Sequence, residues 1–177
     1  MKTVKEKMEA GTAALMQQFG YKNRFAVPRI EKVIVGTGTG STKDREKAKL
    51  IPDRLGKITG QKPVPRAAKK SIASFKLRQG DVVGHSVTLR GKRMLDFLDR
   101  LINIAIPRQR DFRGIVRTAV DQMGNLSIGV KEHTIFPETA DEDVRNVFGL
   151  AITIVTSARS QKEALALFEH IGIPFKK

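Results

Sequence analysis

Three glycines, Gly36, Gly38 and Gly40, stand between a β-branched run and a helix-like stretch, where phosphate-cradling loops occur. Their spacing fits neither nucleotide fingerprint. The dinucleotide motif needs a third glycine three residues past the second, and the P-loop needs Lys directly after its last glycine. Here Ser41 and Thr42 precede Lys43. A tight turn, or bare backbone that lets RNA come close, is the reading left. His85, His133 and His170 have no acidic or nucleophilic neighbour at a telling spacing, so isolated core or surface histidines are expected. Asp141, Glu142 and Asp143 suit a solvated acidic turn at a helix start better than a metal site. No catalytic constellation is legible, and neither an enzyme, a cofactor nor a small-molecule substrate is expected.

The basic centre is different. Lys69, Lys70, Lys76 and Arg78 are interleaved with Ser71, Ser74, Phe75 and Gln79, and the run ends in Gly80. Cations there can meet phosphates, hydroxyls and amides can meet sugars or base edges, and one ring can stack. Few aromatics and no RNP1 pattern argue against a single-strand platform, so docking on folded RNA is favoured.

Composition agrees. The 177 residues hold 33 Lys or Arg against 18 Asp or Glu, a net +15, which points to a polyanionic partner. The charge is uneven: +7 over residues 1–61, +10 over 62–117 and −2 over 118–177. A polyanion-binding surface in the first two thirds, with a neutral to acidic end facing something else, accounts for that asymmetry. The absence of cysteine excludes disulfides, thiolate zinc sites and Cys nucleophiles. No apolar run reaches the roughly 18 to 20 residues of a membrane span, and no membrane partner is expected.

The positioning elements follow from periodicity. Thr3 with Glu6 predicts a capping box, a helix with Val4, Met8, Leu15 and Phe19 on one face, and an end at Gly20. A strand from Arg29 to Val35 runs into the glycines. A second helix beginning near Ser41 or Thr42 carries the stripe Ala48, Ile51, Leu55 and Ile58, with Pro52 expected to kink it or delay its start. Residues 63–67 are extended, and residues 81–90 alternate, with Thr88 on the polar side and His85 on the apolar side. A strong helix over 92–105 is stopped by Pro107. Strands around Leu126–Val130 and Leu150–Thr156 flank a helical turn at 141–146, and a last helix is capped by Ser160 with Glu163. The predicted class is α+β: one domain over residues 1–177, a largely antiparallel sheet of about five strands, and helices packed on one face.

Seven strings now carry a resemblance: VPRIEKVIVGTGTG (27–40), TGQKP (59–63), KKSIASFKLRQG (69–80), VTLRG (87–91), PRQRDFRG (107–114), FPE (136–138) and IPFKK (173–177). In order and spacing the chain resembles the bacterial large-subunit ribosomal protein five family, 5S-rRNA-binding proteins of the central protuberance. The resemblance implies a noncatalytic, cytoplasmic, ribosome-bound protein with 5S rRNA, 23S rRNA, P-site tRNA, small-subunit protein thirteen and neighbouring 5S-associated proteins as partners. It implies a 5S set of Gly36, Thr37, Gln61, Lys62, Phe75, Thr88 and Arg90. Gly36 replaces the usual Asn, so its backbone or the Thr37 hydroxyl would substitute. It implies a tRNA-reaching loop over 69–84, using Lys69, Lys70, Ser71, Lys76, Arg78, Gln79 and Gly80, with Arg78 and Gln79 near its tip. The bridge surface maps to Arg108, Arg110, Asp111 and Arg113 with Asp141, Glu142 and Asp143. A general double-stranded-RNA binder or RNA chaperone is the alternative.

Overall fold

The computed structural model describes residues 2–40, 45–139 and 147–176. Apart from the helical turn expected at 141–146, which lies outside the described residues, its element order is the expected alternation, with helices α1 (Val4–Phe19), α2 (Arg45–Thr59), α3 (beginning Gly91–Arg100) and α4 (Gln161–Ile171). The strands are β1 (Ile30–Gly38), β2 (Val64–Ala67), β3 (Val82–Leu89), β4 (Leu126–Val130) and β5 (Leu150–Thr156). They form one five-stranded antiparallel sheet in the order β2-β3-β1-β5-β4, so the α+β class holds. Long-range contacts gather the chain into two compact units whose divisions fall inside β1, β4 and β5.

The first unit comprises residues 1–33, 90–128 and 153–177. Here α1 begins with the expected capping box, Thr3 accepting from the Glu6 amide and Glu6 from the Thr3 amide, and ends on left-handed Gly20. Asp99 of α3 accepts the Val4 amide at 2.7 Å. Gly11 lets α1 approach α4, because a Cβ there would lie 3.1 Å from His170 Cβ. The cap of α4 departs from a full box. Ser160 accepts the Glu163 amide, but the Glu163 carboxylate reaches past Ser160 to the Arg159 amide at 3.0 Å. The helix expected to stop at Pro107 runs on: after Arg100 come a π-helical turn, Leu101–Ala105, and a last turn, Ile106–Arg108. Only Arg108 follows Pro107 in the helix, so the missing N–H and the ring disturb no more than this last turn.

The second unit comprises residues 34–89 and 129–152. Ile51, Leu55 and Ile58 of α2 are buried as expected. The helix runs through Pro52, which neither starts nor breaks it, while the expected start at Ser41 or Thr42 lies outside the described residues. His133 is a core histidine, stacked on Phe148 with ring centroids 4.0 Å apart. The glycine stretch is corrected: β1 continues through Gly38, so no turn occurs at Gly36–Gly38.

Candidate RNA-binding surface

Alternation along β1 and β3 sorts the second unit's side chains into two faces. Val35 and Thr37 of β1 and Val87 and Leu89 of β3 are buried. The alternate residues Gly36 and Gly38, with Ser86 and Thr88, remain accessible. Edge strand β2 adds two more, because its register pairs Val64 with Ser86 and Arg66 with Gly84. Cross-strand partners share a face, so Val64 and Arg66 lie beside Ser86 and Gly84. Arg66 Nε donates to Ser86 Oγ at 2.6 Å, which holds the guanidinium down across the strands. A shallow groove of about 530 Å³ runs here, lined by Gly36, Gly38, Arg66, Gly84 and Ser86 among others.

The glycines differ in why they are glycine. A Cβ on Gly84 would lie 2.8 Å from the Thr37 carbonyl oxygen, closer than real Cβ atoms come. Gly84 therefore lets β3 cross β1. A Cβ on Gly36 would meet only His85 O at 3.6 Å and Ser86 Cβ at 3.9 Å, and one on Gly38 would meet nothing within 4 Å. Neither has the left-handed backbone that favours glycine. Folding does not require these two, and what they leave is bare backbone on an accessible face.

Gln61 and Thr88, far apart in sequence, come together: Gln61 Nε2 donates to the Thr88 carbonyl at 3.4 Å. The long bond leaves the amide oxygen and the Thr88 hydroxyl available. Lys62 is exposed beside Gln61. Thr37 does not belong to this face. Its side chain is 7% exposed and its hydroxyl donates to the Gly149 carbonyl at 2.8 Å, so it cannot stand in for a missing amide at Gly36. Arg90 is exposed and precedes the first residue of α3. His85 lies half-buried, its Nδ1 buried and without a partner among the described residues, and desolvation lowers its pKa, so it stays neutral near pH 7.

Of the loop expected over 69–84, residues 69–81 form a hydrogen-bonded arm and residues 82–84 already belong to β3. Ala68 and Gly80–Asp81 exchange backbone bonds, as do Ile72 and Leu77, and Ser71 Oγ accepts the Gln79 amide at 2.9 Å. The tip is the 3₁₀ turn Ala73–Phe75, followed by left-handed Lys76. The expected Arg78 and Gln79 follow this tip on the returning side of the arm, with the Arg78 amide held by Asp81. Phe75, grouped with Gln61 and Thr88 by resemblance, sits instead at the arm's end, 71% exposed. Lys69, Lys70, Ser71 and Gly80 are exposed along the arm.

In the first unit, Arg108 closes the last turn of α3, and Arg110, Asp111 and Arg113 follow on an irregular segment, all four exposed. Its end is anchored. Gly114 adopts φ 94° where a Cβ would lie 2.7 Å from the Lys176 amide nitrogen, and Ile115 exchanges backbone bonds with Pro174 and Lys176 at 2.8 Å. Two of the seven strings, separate in sequence, thus meet. Asp141, Glu142 and Asp143 lie outside the described residues.

Sequence reading missed Arg66, Ser86 and Gly84. The alternation of β3 marks Ser86 as sharing the Thr88 side, but only the β2–β3 register brings Arg66 across to it.

A sequence model described as ribosomal protein L5 matches residues 23–78, and a second, describing the C-terminus of the same ribosomal family, matches residues 82–175. The chain is 49% identical over 164 residues to the large ribosomal subunit protein uL5 of Mycoplasma mycoides, covering 92% of this chain and 91% of that one. The uL5 protein of Alkaliphilus oremlandii is 48% identical over 165 residues, covering 93% and 92%. That of a Thermoanaerobacter species is 46% identical over 179 aligned residues, covering all of both chains.

Proposed function

The chain belongs to the ribosomal protein L5 family, and from that premise we propose that its second unit binds 5S rRNA on the accessible face of β2, β3 and β1. It is a structural, non-enzymatic ribosomal protein of the large subunit. The observation that carries the finer reading is the bare backbone at Gly36 and Gly38 beside Ser86, Thr88 and Arg66. Backbone without side chains admits a sugar–phosphate strand to contact distance. Arg66 neutralises phosphate, while Thr88 and Gln61 set register against ribose and base edges. Affinity is mostly electrostatic, with a log–log salt slope of roughly −0.7 to −0.9 per phosphate contacted.

A gel shift with 5S rRNA at fixed salt tests this reading. Thr88→Val with Gln61→Ala should weaken binding roughly tenfold or more, at about 1 to 3 kcal/mol per lost contact. Unchanged affinity refutes the assignment. Equal wild-type affinity for 5S rRNA and an unrelated duplex would instead favour the general duplex binder.

We assign the arm to P-site tRNA and the segment 108–113 to a protein neighbour across the subunit interface, small-subunit protein thirteen. The remaining cationic surface goes to 23S rRNA and other 5S-associated proteins. Because Lys76 and Phe75 form the arm's tip, their replacement by Ala should weaken tRNA retention on assembled ribosomes while leaving 5S binding intact. Loss of 5S binding would move the arm into the 5S interface.

A further inference from the structure

Phe25, in the first unit, is 85% exposed, the most exposed large apolar side chain among the described residues. A phenyl ring left in water forfeits the free energy that burying it would release. Loose chain does not explain it. Phe25 sits in the 3₁₀ turn Arg24–Ala26, where Asn23 Oδ1 accepts its amide at 2.9 Å. Val27 and Pro28 behind it are buried. Arg29 is pinned in turn: its amide donates to Ser157 Oγ at 3.0 Å and its carbonyl accepts the Ser157 amide at 2.9 Å. The ring is therefore presented outward from a turn braced on both sides.

Beside it opens a groove of about 300 Å³ with Met8, Val27 and Leu167 among its apolar walls and Arg24 and Arg29 at its rim. Neither arginine has a carboxylate partner among the described residues. Around Phe25 the exposed surface is polar and cationic, from Lys22 and Asn23 to Arg24 and Arg29. Val27 and Leu167 of the groove wall are themselves buried, and of the exposed residues flanking the ring only the small Ala26 is apolar, so the ring is not part of a broad exposed apolar patch of the kind that marks a protein interface. A lone aromatic among unpaired arginines matches the chemistry of an unpaired nucleotide, a base for the ring and phosphates for the guanidinia.

We propose that this groove is a second RNA-binding site, separate from the sheet face, that takes one unpaired nucleotide of ribosomal RNA. The base stacks on Phe25 against the apolar wall, and its flanking phosphates meet Arg24 and Arg29. Glu9, also on the rim, repels phosphate and confines the strand to the arginine side. The site does not depend on the 5S reading, and either can fail without the other.

The test places benzoylphenylalanine at position 25 of the full-length protein, in purified ribosomes. Irradiation should join position 25 to an unpaired rRNA nucleotide. A crosslink to a protein, to a paired nucleotide only, or to nothing overturns the proposal. In parallel, Phe25→Ala should weaken binding of an unstructured oligo-uridylate to the free protein roughly fivefold or more, as expected for one lost stack. Its urea midpoint should be unchanged, because the ring packs in no core. Unaltered oligonucleotide affinity also overturns the proposal. The crosslink must persist in the Thr88→Val, Gln61→Ala protein, which separates this site from the sheet face.

Discussion

Gly84, Gly36 and Gly38 are close in space but are glycine for different reasons, and alanine at each should separate folding from binding. At Gly84 the added methyl lies 2.8 Å from the Thr37 carbonyl and 3.7 Å from Gly38 Cα. Both obstacles are backbone, so relief requires β3 to move from β1. Overpacking of this kind costs about 1 to 3 kcal/mol. For a chain this size that is a fall in Tm of roughly 2 to 12 °C, at about 2 to 4 °C per kcal/mol. At Gly36 and Gly38 the methyl meets ordinary contact distance or open space. Glycine inside a strand is worse than alanine by roughly 0.5 to 1 kcal/mol, so Gly36→Ala and Gly38→Ala should each gain up to that much. Far-UV circular dichroism through a urea titration reads stability, and a gel shift at fixed salt reads 5S affinity. The expected pattern is Gly84→Ala destabilised, and Gly36→Ala at least as stable as the parent with weaker RNA binding. A Gly84→Ala protein with the parent's urea midpoint would refute the close-approach argument. Full 5S affinity in Gly36→Ala would refute the bare-backbone contact.

Other outcomes are specific to single groups. Tyr21 is pushed up to about 12 by burial and by its hydrogen bond to the Glu163 carboxylate. As the chain's one tyrosine, it should show a tyrosinate absorbance midpoint near that value that falls in Glu163→Ala. A midpoint at the ordinary 10 would exclude the hydrogen bond. Because the folded state holds this proton more tightly, the associated stability is intact below about pH 10 and lost as pH rises toward 12. His85 is shifted the other way, by desolvation. The unfolded chain protonates first, so stability should fall as pH drops below about 6.5, and His85→Leu should flatten that part of the Tm–pH curve. Asp121 is held below the usual carboxylate range chiefly by the Asn125 amide, with the Asn125 side chain next. Its contribution is present above the ordinary Asp range and lost as pH falls through the depressed value, so Asp121→Ala should lower Tm at neutral pH and match the parent in strong acid.

Sequence alone determined the elements and the character of the partner. Caps and periodicity are local: Thr3 with Glu6, the alternation of residues 82–89 and the stripe of α2 read out within a few residues of chain. Charge is additive, so its concentration in residues 1–117 pointed to a polyanion without any geometry. Motif strings identified the family, because their order and spacing are properties of the chain itself. Pro52 lies inside α2, and Pro107 one residue before the last residue of α3's final turn, so neither marks a helix boundary by itself. Proline's cost is set by which N–H and carbonyl it removes from use, and the surrounding turns decide that.

Tertiary structure decided which side chains share a surface. Thr37 and Gly36 are adjacent in sequence, yet a strand's two-residue period sends one to the Gly149 carbonyl and leaves the other open. Arg66 joins Ser86 only through strand register, and Gln61 joins Thr88 through chain return after α2. The arm's tip falls at Phe75 and Lys76, just ahead of Arg78, because the pairing of Ile72 with Leu77 sets where the chain turns. Even the distinction between Gly84 and Gly36 belongs to the fold, since the missing Cβ is identical and only the atoms opposite it differ.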